Sequence, residues 1–282
     1  MKHTVTIARS AGFCMGVSLA LGKLDRALLK QNPGDSIFTL GPIIHNPQVQ
    51  QRYKEKGVQL AHTLDEIPPG STVIIRAHGI PKDEEDKLRT KQVNIIDATC
   101  PKVKKAQLII EEQSKEGKTM LLFGEADHPE VRGLLSYSAR SFVFENLDSL
   151  KQQTIPPGTY FLAAQTTQDR NEFYTIEARL KEKISSLTAL DTICDATKNR
   201  QEEVIELAQK TQCIIVVGGK NSGNTRRLAE IASLHTATVF HVETVADLPV
   251  QELKKYSYIG LTAGASTPQD IVDEIRQQIE NF

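Results

Sequence analysis

Four cysteines, Cys14, Cys100, Cys194 and Cys213, are the softest metal donors and the most reactive nucleophiles in this chain of 282 residues. They form no CxxC pair and no secretory signal is present, which argues against both a disulfide framework and a zinc ribbon. Three of the four share one setting. Cys14 follows the alternating stretch HTVTIARSAGF and precedes Val17, Leu21, Leu24 and Leu28 at helical spacing. Cys100 ends VNIIDAT and precedes Pro101, which pre-sets a first helical turn, and the apolar stripe Val103, Ala106, Ile109 and Ile110. Cys194 follows LDTI and precedes Val204, Leu207 and Ala208 on one helical face. At a helix start, unpaired amides and the macrodipole favour a thiolate. Three thiolates can hold three irons of a 4Fe-4S cluster and leave the fourth iron open to a substrate. Zinc bound by three cysteines and a histidine is the metal alternative, but such ligands usually come in closely spaced pairs, which are absent here. Cys213, inside the apolar run CIIVVG, reads as a small buried hydrophobe.

Polar side chains recur in loops that follow apolar strand-like runs. IFTLGPIIHN carries His45, VIIRAHG carries His78, and TMLLFGEADHPE carries His128 and Glu130. YFLAAQTT carries Thr166 and Thr167, CIIVVGGKNSGN carries Ser222, Gly223 and Asn224, and YIGLTAGAST carries Ser266. Singly, each reads as a cap, a turn residue or a satisfied histidine. Together, neutral hydroxyl, amide and imidazole donors beside glycine amides suit phosphate oxygens without a lysine cradle. GGKNSGNT lacks the GxxxxGK[ST] spacing of a nucleotide phosphate loop, so ATP is a poor candidate. Among the carboxylates of these loops, Glu130 is the best placed as a proton donor, and a first-turn helix acid is its equally weighted alternative.

These loops need a scaffold that presents them together. Strand-like runs alternating with helical stripes predict parallel sheets with right-handed crossovers, which bind ligands beyond the carboxyl ends of their strands. The pattern repeats three times, predicting three related α/β units of roughly 90 residues each, an ordinary domain size. The expected boundaries are 1–100, with the N-terminal strand and Cys14, then 101–190, and 191–282 with a C-terminal helix. Lys plus Arg number 34 and Asp plus Glu 35, which leaves no global field for a nucleic acid or an anionic membrane. No apolar run is long enough to cross a bilayer, so the chain is expected to be soluble and cytoplasmic.

The ordered motifs GFCMGV, GPIIHN, RAHG, DATCPKV, HPEV, QTT, ICDATKNRQ, KNSGNT and TAGAST resemble those of the 4-hydroxy-3-methylbut-2-enyl diphosphate reductase family, IspH/LytB, over nearly the whole chain. The resemblance implies a three-lobed α/β fold around a central 4Fe-4S cluster held by Cys14, Cys100 and Cys194. It also implies reductive dehydroxylation of an allylic diphosphate to isopentenyl and dimethylallyl diphosphates in the non-mevalonate route. His45, His78, His128, Ser222, Asn224 and Ser266 would contact the diphosphate or order the substrate, Thr166 would help position its hydroxyl, and Glu130 would deliver a proton. Two departures stand out: Gly223 replaces a serine common among relatives, leaving an amide but no hydroxyl, and Glu125 and Asp127 add acidity that would raise the proton affinity of His128 or Glu130 if they point inward. No flavin or dinucleotide fingerprint occurs, so electrons are expected from reduced ferredoxin or flavodoxin. A non-catalytic iron-sulfur redox sensor with a phosphate pocket is the alternative from another class, and a cysteine hydrolase ranks last.

Overall fold

A computed structural model describes residues 3–282. Among them run the strands β1 (Thr4–Ile7), β2 (Ile37–Leu40), β3 (Gln59–Ala61), β4 (Thr72–Ile75), β5 (Asn94–Asp97), β6 (Thr119–Phe123), β7 (Ser141–Phe144), β8 (Tyr160–Ala164), β9 (Thr188–Ala189), β10 (Cys213–Val217), β11 (Val239–Val242) and β12 (Tyr258–Ala263). They form three four-stranded sheets, ordered β3-β2-β4-β5, β7-β6-β8-β9 and β1-β12-β10-β11. All pairings are parallel. The fold is therefore α/β with a thrice-repeated sheet, as the alternation of strand and helix predicted.

Each sheet has the same internal order once β1 is counted as the last strand of its own. The first and third strands of each set lie at the centre: β2 and β4, β6 and β8, β10 and β12. Their residues are almost wholly buried, as in the BBBBB runs of β8 and β10, whereas edge strand β1 alternates exposed and half-buried. This is why the central strands read as continuous apolar runs. Side chains of β10 alternate between faces. Cys213, Ile215 and Val217 enter one core with Ile271, Val272, Ile275 and Ile279 of the helix Gln269–Glu280, and Ile214 and Val216 enter another with Val204 and Leu228. In the first two sets the chain leaves the first strand in one direction and the third in the other, the switch point beyond which such sheets bind ligands.

The N-terminal strand, expected with the residues up to 100, pairs instead with β12, Thr4 opposite Tyr258 through Ile7 opposite Leu261. It therefore completes the sheet of the last segment. The repeat is cyclic: each set ends at the strand that leads to a cysteine, and the last set closes with the first strand of the chain. By contacts the chain divides into two compact units, one of Met1–Val17, Ile44–Gln51 and Asp195–Phe282, the other of Ser18–Ile43 and Arg52–Cys194. The first holds the sheet of β1, β12, β10 and β11, and the second holds the other two sheets. Among the described residues no helix is long and apolar enough to cross a membrane.

Candidate active site

The three similar cysteines form no disulfide, are half-buried and are held by the same backbone bond. The N–H of Cys14 donates to the carbonyl of Ala265 at 3.1 Å, that of Cys100 to Ala77 at 2.9 Å, and that of Cys194 to Thr166 at 3.0 Å. Each acceptor lies in the loop after the third strand of that sheet. The cysteine turn is thus pinned to its neighbouring loop by the sheet's own register. Each cysteine immediately precedes a helix, Met15–Leu29, Pro101–Lys115 or Asp195–Lys210. The Val17 N–H points at Cys14 Sγ at 3.5 Å, so an orphan donor of the first turn meets the sulfur. Cys213 is fully buried in an apolar core, and burial pushes its thiol up to about 11. It stays a neutral hydrophobe, as its surroundings in the sequence suggested.

In the unit built on β10 and β12, two polar loops face each other. Ser222 caps the helix Gly223–His235, its Oγ accepting the Thr225 N–H at 3.4 Å. Ser266 Oγ donates to the His45 carbonyl at 3.1 Å and lies 3.5 Å from Ser222 Oγ. The chain at His45 approaches so closely that a Cβ on Gly219 would stand 2.9 Å from the His45 carbonyl oxygen, which excludes any side chain there. Asn224 is buried, and its Nδ2 has no hydrogen-bond partner among the described residues. An unspent buried donor costs about 1–3 kcal/mol, and a ligand acceptor would remove that cost. Gly223 and Asn224 open the helix, where free backbone donors favour an anion.

In the unit built on the other two sheets, the imidazoles of His78 and His128 meet edge-on with ring centroids 5.4 Å apart. His128 caps the short helix Pro129–Leu135 by accepting the Glu130 N–H at Nδ1, 3.1 Å away. The neutral ring therefore carries its proton on Nε2. The Glu130 carboxyl is buried and turned onto Thr166, receiving its N–H at 2.6 Å and its hydroxyl at 2.8 Å. Burial raises its pKa to about 7 and outweighs the two Thr166 bonds, which lower it. The extra acids do not do this: Asp127 is exposed and Glu125 half-exposed, and the shift of Glu130 owes nothing to either. Thr167 faces away, its hydroxyl bound to Gln165 Nε2 at 3.0 Å.

Three braces were not foreseen. Fully buried Gln165 accepts the Glu125 N–H at 3.0 Å, tying the loop of His128 to that of Thr166. Arg200 donates to the Gly12 carbonyl at 2.8 Å, and Glu203 receives the backbone N–H groups of Arg9 at 2.6 Å and Ser10 at 2.9 Å. Both lie on the helix after Cys194 and fix the turn before Cys14, where Gly12 takes φ +107°. The polar run of a loop can be read in one sequence; a partner nearly two hundred residues away cannot. A cavity of about 730 Å³ lined by Leu150, Tyr160, Arg179 and Ile184 lies at the opposite, amino end of β8 and includes none of these residues.

A raised carboxyl pKa has a direct kinetic sign. Glu130 is protonated below about pH 7 and ionises above it, so a step that takes its proton should slow about tenfold per pH unit above that value. The contribution of Glu130 to stability is fully present below the ordinary carboxylate range and is lost as pH rises through about 7. Single-turnover rates and denaturant midpoints across pH 5–9 check both, and Glu130→Gln should flatten both curves.

The LytB protein family matches residues 5–280. A 4-hydroxy-3-methylbut-2-enyl diphosphate reductase of Nitratidesulfovibrio vulgaris (strain DSM 19637 / Miyazaki F) is 53% identical over 278 residues, covering 98% of each chain. That of Clostridioides difficile (strain 630) is 38% identical, covering 99% of each. Among solved structures, an (E)-4-hydroxy-3-methyl-but-2-enyl diphosphate reductase described as the terminal enzyme of the non-mevalonate pathway superposes with a TM-score of 0.70 at 37% identity over the whole of both chains. The E-1-hydroxy-2-methyl-but-2-enyl-4-diphosphate reductase of Plasmodium falciparum gives 0.92 at 28% identity, covering 98% of this chain and 88% of the other. With cysteine turns, polar loops and sheet order all inside the matched span, the chain belongs to the LytB protein family.

Proposed function

We propose that this chain reduces 4-hydroxy-3-methylbut-2-enyl diphosphate to isopentenyl and dimethylallyl diphosphates, the closing step of the non-mevalonate isoprenoid route, and does so in the cytoplasm, where free thiols stay reduced. The activity follows from the family and its relatives. One observation carries the chemistry: Thr166 accepts the N–H of Cys194 through its carbonyl and holds the Glu130 carboxyl through its N–H and hydroxyl. A proton source is thereby locked to the turn of a metal-ligand candidate. A sensor that only bound a cluster would have no task for a buried carboxyl that is half protonated near neutrality.

The donor set fits a 4Fe-4S cluster: three thiols outside any disulfide at helix starts, each turn held by the same backbone bond, with the fourth cysteine sealed in a core. Cys14, Cys100 and Cys194 would hold it. When bound, the cluster would supply electrons one at a time and Lewis acidity toward the substrate hydroxyl. The balance is R–OH + 2e⁻ + 2H⁺ → R–H + H₂O, with one C–O bond broken and one C–H bond formed. Glu130 supplies a proton to the departing oxygen, and the Thr166 hydroxyl orients that oxygen beside it. The amides of Gly223 and Asn224, the Asn224 side chain and the hydroxyls of Ser222 and Ser266 bind diphosphate oxygens. His45, His78 and His128 donate to the same group, His128 from Nε2. No lysine is required, because six neutral side-chain donors and a helix start spread the anionic charge. The electrons come from a reduced carrier protein, ferredoxin or flavodoxin.

Ser222→Ala and Asn224→Ala should each weaken binding of the diphosphate about tenfold to a hundredfold, since a hydrogen bond to a charged oxygen is worth about 1.5–3 kcal/mol. Isotherms with the diphosphate and with its parent alcohol decide the point: loss for the first and none for the second is expected. Equal affinities for the parent and both variants would remove these loops from the site. The activity is tested by anaerobic incubation of the cluster-loaded chain with the diphosphate and dithionite. Both five-carbon diphosphates are expected, and recovery of unchanged substrate would return the chain to the sensor reading.

A further inference from the structure

Phe13, Met15 and Leu19 are 36%, 58% and 43% exposed, three of the nine large exposed hydrophobics among the described residues, gathered within seven positions around Cys14. Scattered apolar side chains on a surface are ordinary; a contiguous group marks an interaction site. Met15, Leu19 and Gly22 succeed one another on one face of the helix Met15–Leu29. Gly22 offers no side chain, and Arg26 lies back over it, its Nη1 3.9 Å from where a Cβ would stand. A flat apolar strip thus starts beside a proposed cluster ligand and ends under a guanidinium.

The charge of this segment departs from that of the chain. Residues 13–30 hold Lys23, Arg26 and Lys30 against one acid, Asp25, whereas the whole chain carries a formal net charge of −1. Asp25 is itself engaged by the Tyr53 hydroxyl at 3.0 Å and Lys56 at 3.6 Å. We propose that this face of the helix Met15–Leu29 is where a small acidic one-electron carrier protein docks; the proposal rests on the assignment of Cys14 as a cluster ligand. An apolar centre inside a charged rim is the anatomy of a protein interface, and complementary charge speeds encounter. Electron-transfer pairs use small faces of this kind, which allow each carrier to leave after delivery. Two reduced carriers dock in turn and each loses one electron per substrate converted.

The test is anaerobic titration calorimetry of the cluster-loaded chain with a bacterial ferredoxin, at low and high ionic strength. Leu19→Glu and Arg26→Glu should each raise the Kd at least tenfold, and salt should weaken binding by the parent. Leu234→Glu, at an 80% exposed leucine on the helix Gly223–His235, should leave the Kd unchanged, and all three variants should turn over like the parent with dithionite. Parental affinity in Leu19→Glu and Arg26→Glu, an equal loss in Leu234→Glu, or no binding of ferredoxin by the parent would overturn the proposal. Salt-sensitive binding lost in the two helix variants supports the docking face even if the parent reduces no diphosphate, a result that would instead bring down the catalytic reading.

Discussion

Glu130→Gln leaves the fold, the cluster and most of the diphosphate affinity in place and slows reduction by about 10²–10⁴, the usual worth of a positioned general acid. The amide keeps the shape of the carboxyl. Its oxygen accepts the Thr166 N–H, and its NH₂ donates to the Thr166 hydroxyl, so both partners that Glu130 has now remain satisfied. What is lost is the transferable proton. Single-turnover measurements at saturating substrate, with the cluster reduced beforehand, separate this loss from slow electron delivery. A rate within a few-fold of the parent would make Glu130 a structural partner of Thr166 and nothing more.

Cys14→Ser, Cys100→Ser and Cys194→Ser each lose most of the bound iron and sulfide, because a neutral hydroxyl replaces a thiolate at a site that has no spare ligand. Cys213→Ser keeps both. Its penalty falls on stability, about 1–3 kcal/mol for a hydroxyl placed without a partner in the apolar core of β10. Iron and sulfide content of anaerobically prepared variants, with denaturant midpoints beside it, gives the two patterns separately. Equal iron loss in all four would defeat the ligand assignment.

The four cysteines sort themselves in the sequence because a strand run, a polar turn and a helical stripe leave local periodic traces. The buried central strands were legible for the same reason. Sequence alone leaves Glu130 level between a helix acid and a proton donor, since it does not say where a carboxylate points; its contact with Thr166, thirty-six residues on, is what supports the proton-donor reading. The partner of β1 was hidden by the cyclic repeat: a strand at the start of the chain looks like the opening of the first unit, and only pairing with β12 reveals it as the close of the last. Arg200, Glu203 and Gln165 were invisible for another reason. Polar residues on a helix or at a strand end normally face water, and nothing local marks those that reach across to brace a turn.

The most direct test is a single turnover in D₂O with the cluster reduced beforehand, dithionite present to supply the second electron, and the products analysed by mass spectrometry. Protonation of an allylic fragment at either end places one solvent hydrogen on carbon in each product. Isopentenyl and dimethylallyl diphosphates, each carrying one deuterium, are therefore expected, at two electrons consumed per molecule formed. Oxidation of the cluster with the substrate recovered intact, or five-carbon products free of deuterium, would contradict the proposed reaction.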